Sequence, residues 1–175
     1  MIDFNNMTDN SDQLRKHIEN VRLALLDLHK MLIDHGRADY VNKHGEVKNP
    51  GEWVHLLVSH AFFSWLHPLS KLITTIDELL EIELPIRDLD GKAVRAEIEN
   101  MIGDFPTTPK DFRQNYLHII QREPGVVMEL SKLKQDLKKL PKPEPEKFGD
   151  LLNVRQQWSA ALKLKYFRGN KKDSN

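Results

Sequence analysis

Glu52 and His55 stand three residues apart, a spacing that sets a carboxylate and an imidazole on one face of a helix. Both are ligand types for transition metals. Helical bundles with carboxylate-bridged metal pairs use two such Glu-x-x-His pairs and two further carboxylates; this chain has one pair. His60 and His67, seven apart, would share a helical face, but Pro68 disturbs that register. Glu52, His55, His60 and His67 are therefore the candidate metal set. The same block carries Trp53, Phe62, Phe63 and Trp65, so a haem would find its rings and axial histidines here, among His55, His60 and His67. Trp53, Phe62 and Trp65 are also the candidate walls of a small apolar ligand pocket. The competing reading is plainer. Tryptophan and phenylalanine at helical spacing form core, and histidines sit at helix ends and surfaces.

A second chemistry is offered by the C-terminus. Lys163, Lys165, Arg168, Lys171 and Lys172 surround Tyr166 and Phe167. Cations neutralise phosphates and aromatic rings stack on unpaired bases, so nucleic acid is one candidate partner. An anionic membrane surface is another. Against both stands a solvated lysine-rich tail, or a protein partner. Residues 132–175 hold twelve Lys/Arg against five Asp/Glu, while residues 77–104 hold nine Asp/Glu. The formal net charge is zero. A bipolar chain of this kind can pair its own halves or self-associate.

Other chemistries are excluded. There is no cysteine, which removes thiolate nucleophiles, disulfides and iron–sulfur clusters, and fits a reducing compartment. No G-x-S-x-G, P-loop or G-x-G-x-x-G occurs, and no motif names a cofactor. Asp77 and Glu81 sit at i and i+4, which more plainly marks a solvated helix face than an acid–base pair. The N-terminal ten residues lack the apolar core of a signal peptide, and no window approaches the ~18 apolar residues of a membrane span. The expectation is a cytoplasmic protein.

These residues must be positioned by helices. Leu14, Ile18, Val21, Leu25, Leu28 and Leu32 alternate spacings of four and three, one stripe of a helix over residues 11–43, with Gly36 as a bend or end and Gly45 as its stop. Asn49-Pro50-Gly51-Glu52 is a cap, a first-turn proline and an acid, opening a short helix over 50–58. Ser59 would recap the chain into a helix over 60–81, kinked or broken at Pro68. Asp90 would cap a helix over 91–102, Thr108-Pro109 one over 109–122, and Pro124 one over 124–140. PKPEPEK at 141–147 favours an extended linker, and a last helix spans 149–167. No segment alternates as a strand.

The run Phe62-Phe63-Ser64-Trp65-Leu66-His67-Pro68-Leu69-Ser70-Lys71-Leu72-Ile73, followed by Ile76-Asp77-Glu78, resembles a segment of small bacterial all-helical proteins of unknown function. The resemblance implies a bacterial, helical, non-secreted protein and brings no activity and no functional residues.

The reading is an all-α protein: a single helical bundle of five to seven helices. Residues 1–10 form a disordered lead and 11–140 the bundle, with the first, third, fifth and sixth helices as its body. Residues 141–147 link it to a C-terminal helix at 148–167 that packs, through Trp158, on the bundle or on a partner subunit, and 168–175 is a basic tail. The expected role is a non-catalytic binding or assembly module. The metal or haem bundle and the nucleic-acid binder are its rivals.

Overall fold

In the computed structural model the first helix, α1, runs unbroken over Phe4–His44. It starts seven residues ahead of the expected Ser11 and passes through Gly36 without a break. The described residues are 4–103, 109–144 and 148–169, with side chains described for 10–103, 109–144 and 153–164. At 1.5 Å per residue a helix of this length reaches about 60 Å, beyond the ~40 Å of a compact sphere of this chain. The six stripe residues from Leu14 to Leu32 are all buried. Gly45, at φ 90°, ends the helix and returns its N–H to the Val41 carbonyl at 2.8 Å.

Six more helices follow: α2 Pro50–Ser59, α3 His67–Glu81, α4 Asp88–Ile102, α5 Lys110–Ile120, α6 Pro124–Leu137 and α7 Phe148–Gly169. A 3-10 segment, Ala61–Leu66, joins α2 to α3. The fold is all-α, with no strand among the described residues. Pro68 does break the run expected over 60–81. The chain is 3-10 up to Leu66, and Pro68 lies in the first turn of α3, where its missing N–H costs nothing.

α1 is the spine, packed along α6 and α3. The expected body omits α4, and the structure corrects this. Ala93, Val94, Ala96, Ile98 and Ile102 of α4 are all buried. Two of these core residues are alanines, so the apolar stripe is faint in sequence although the helix sits deep. Gly91 shows how close the approach is: a Cβ there would lie 3.0 Å from both Leu14 Cδ1 and Pro141 Cδ. Asp90 is also not the cap. Arg87 takes that position, and Asp90, three residues on, accepts the Arg87 backbone N–H at 2.8 Å.

Charged side chains tie the helices at their ends. The Arg15 guanidinium donates to the carbonyls of Leu80 (2.7 Å), Ile82 (2.8 Å) and Leu84 (3.2 Å), closing the orphaned end of α3. Arg22 pairs with Asp77, so Asp77 joins α1 to α3 and does not serve as half of a carboxylate pair. Arg95 holds Glu99 at 2.7 Å and the Leu140 carbonyl at 2.9 Å, fixing the end of α6.

Candidate functional site

The capping residues of α2 settle where the aromatic block goes. The Asn49 side chain accepts from Gly51 N at 2.8 Å, starting α2 as the sequence predicts. At the far end His60, rather than Ser59, recaps the chain: its Nδ1 accepts from Phe62 N at 3.1 Å. The tight 3-10 turn that follows swings Phe63 and Trp65 into the core and leaves Phe62 half-buried.

Tyr40 of α1 is the hub of the resulting ring cluster. Its ring meets Trp53, His60 and Phe62 edge-on and Phe63 at a tilt, with centroids 5.4 to 5.8 Å apart. These are the offset and edge-to-face geometries that aromatic quadrupoles favour. Two cations cover the outside: Arg37 lies 4.5 Å over Trp53 and Lys43 Nζ 5.2 Å over Phe62. Gly36 makes room, since a Cβ there would sit 3.3 Å from Phe63 Cε1 and 3.7 Å from Trp65 Cζ2. Trp65 continues the layer to Phe112, and Phe112 stacks on Tyr116 at 5.5 Å. The Tyr116 hydroxyl is buried without a hydrogen-bond partner among the described residues, and desolvation pushes its pKa up to about 12.

A polar cleft of about 270 Å³ opens between α1, the 3-10 segment and α5. Phe62 and Trp65 line it, so two of the three expected pocket rings do meet at one opening. Trp53 does not line it and is covered by Arg37. The other walls include Asp39, Lys43, Asp111 and His118. Those from α5 were invisible to sequence reasoning because they lie some fifty residues from the aromatic block and carry no local signature.

The metal set is not assembled. Glu52, His55, His60 and His67 are all exposed, and no three His, Asp or Glu side chains converge among the described residues. His60 uses Nδ1 as a helix cap, and His67 Nε2 meets the Leu57 carbonyl at 3.2 Å. Two of the four donors thus serve structural tasks, and the four do not converge on one point. Of the rings expected around a haem, Phe63 and Trp65 are buried against neighbouring rings, while His55, His60 and His67 are exposed. Of the basic C-terminal residues, Lys163 is exposed. The side chains of Lys165, Tyr166 and Arg168, and all of Lys171 and Lys172, lie outside the described residues.

Two further surfaces stand out. α2 carries Trp53, Val54, Leu56, Leu57 and Val58 within ten residues, yet only Leu56 is buried. Val54 and Val58, one turn apart on the outward face, are 63% and 67% exposed. The second surface is the seat of α7. Val154, Trp158 and Leu162, spaced by four, are buried, and the helix packs on α4 and α3 of its own chain. The Trp158 indole N–H donates to Asp90 Oδ1 at 3.0 Å. Arg87 binds the same carboxylate through Nη2 at 2.9 Å and Nε at 3.0 Å. Burial alone would raise the Asp90 pKa. The hydrogen bonds from Arg87 and Trp158, with the Arg87 charge, outweigh it and hold the carboxyl below its ordinary value. Arg155 of α7 reaches Glu97 at 3.3 Å, so part of the basic C-terminal half pairs with the acidic middle segment within the chain.

Comparison with known proteins finds no matching family, no matching curated protein and no matching solved structure. No helix is long and apolar enough to cross a membrane among the described residues.

Proposed function

We propose that this protein is a non-catalytic binding or assembly module that engages a protein partner through the outward face of α2. The observation that carries the reading is Val54 and Val58, more than 60% exposed one turn apart on a helix that buries only Leu56. A single exposed valine is ordinary, but an apolar helix on the rim with an unpaired apolar face is the usual shape of a helix-docking surface. Gly51 continues this face toward the helix start and allows a second backbone to come close, since a Cβ there would meet only the Asn49 side chain. The histidines fit this reading as caps and rim residues.

A photo-crosslinking residue at Val58, introduced during expression, tests it. The expected result is one discrete adduct, either with a second copy or with one other protein, and none from the same probe at exposed Lys30. Val54→Asp places a charge in the contact and costs more than about 1.4 kcal/mol, so the adduct falls at least about tenfold. No adduct, or one that Val54→Asp leaves intact, refutes the reading.

A further inference from the structure

The donors beside α7 outnumber the acceptors they could use. Arg87, Asp90 and Gln157 are the polar residues that line a groove of about 360 Å³. Asp90 has nothing left to offer a ligand. Its side chain is 4% exposed, and its two oxygens accept from Arg87 N, Nε and Nη2 and from the Trp158 indole. Arg87 is the opposite case, with a side chain 53% exposed. It holds Asp90 side-on through Nε and Nη2, and Nη2 also reaches Gln157 Oε1 at 3.3 Å. The Arg87 Nη1 donors and the Gln157 amide donors have no partner among the described residues. A second guanidinium backs the same wall: Arg15 donates to the carbonyls of Ile82 and Leu84, two lining residues.

The remaining walls are hydrocarbon. Ile82, Leu84 and Ile86 line the groove from the α3–α4 loop, and Trp158 and Ala161 line it from α7. The loop is poorly covered, with Leu84 63% exposed and Pro85 exposed beside it. Water gains few partners on such walls, and apolar walls with a few convergent polar groups are the usual chemistry of a small-molecule site. The free donors choose the head. A guanidinium edge takes a carboxylate in preference to a neutral acceptor, because charge-assisted hydrogen bonds are about twice as strong, and it repels an ammonium. Asp90 occupies the other edge of Arg87, so an incoming carboxylate meets Nη1. We propose that this groove binds a free alkyl carboxylate, its head on Arg87 Nη1 and the Gln157 amide and its chain along Leu84, Ile86 and Ala161. Because one wall is α7 and the other the α3–α4 loop, the ligand fastens α7 to the bundle.

Three probes with one chain and different heads test it on the full-length protein: octanoate, octanol and octylammonium. Titration calorimetry is expected to give octanoate a Kd at least about fivefold below that of octanol, with octylammonium the weakest. At about ten times its Kd, octanoate slows amide exchange of residues 154–162 about tenfold through the binding linkage. Gln157→Leu, at an exposed position, removes one donor and leaves the Asp90 bonds intact, so the advantage of octanoate over octanol shrinks. Ala161→Phe fills the groove and abolishes binding. If that variant does not fold, Leu84→Asp, on the exposed loop, sets a like charge against octanoate and weakens it more than octanol. The proposal is overturned if octanol or octylammonium binds as tightly as octanoate, or if octanoate leaves exchange of α7 unchanged. It is equally overturned if the folded variants bind octanoate as the parent does.

Discussion

Replacing Trp158 by Phe would remove one hydrogen-bond donor from a buried carboxylate while keeping most of an aromatic ring in place. The Trp158 side chain is 4% exposed and its N–H lies 3.0 Å from Asp90 Oδ1. A hydrogen bond to a charged group contributes about 1.5–3 kcal/mol. Asp90 keeps its bonds from Arg87, so it is not orphaned, and the lower half of that range applies. The smaller ring leaves a partial void, adding about 1 kcal/mol. The expected loss is about 2.5–3 kcal/mol, or roughly 5–12 °C in Tm for a chain of this size. Urea unfolding at pH 7, followed by circular dichroism, measures it. The same substitution made with Asp90→Ala completes a double-mutant cycle, in which the two losses should fall short of additive by at least about 1 kcal/mol. A single-variant loss under about 0.5 kcal/mol, or full additivity, refutes the claim that this bond seats α7.

Gly91→Ala sets two effects against each other. Alanine favours the helix by about 1 kcal/mol, but overpacking against Leu14 and Pro141 at 3.0 Å costs about 1–3 kcal/mol, so urea unfolding should show net destabilisation. Burial lowers the His29 pKa, and Ser70 Oγ lies 3.0 Å from its Nε2. The stability it contributes is therefore full above the unfolded value of 6.5 and is lost as pH falls through the lower folded value. Tm measured from pH 7 to pH 5 should drop more in the parent than in His29→Gln. Tyr116→Phe removes a buried hydroxyl that has no partner among the described residues, so stability should stay level or rise by up to about 1 kcal/mol; a loss above that, measured by thermal melting, refutes the burial argument.

Most of the helices were legible because helix formation is local. The stripe from Leu14 to Leu32, the cap at Asn49, the stop at Gly45 and the first-turn prolines Pro50 and Pro124 each act within a turn or two of chain, and each stands where the residue pattern put it, whereas Pro109 is the cap of α5 and not its first residue. The choice of His60 over Ser59 as a cap was less legible, because either side chain can accept the bond. Chemistry was the least legible. Eight histidines suggested ligands, but whether donors converge depends on which helix faces meet. That is decided by packing across the whole chain, as with Asp90 and Trp158, which lie 68 residues apart. The burial of α4, the division of Trp53 from Phe62 and Trp65, and the exposed valines of α2 belong to the same category. The sequence by itself determined where the chain turns helical and which stripe of α1 is apolar. The tertiary structure alone decided which of the remaining apolar and charged groups found partners, because non-local contacts carry no periodic signature along the chain.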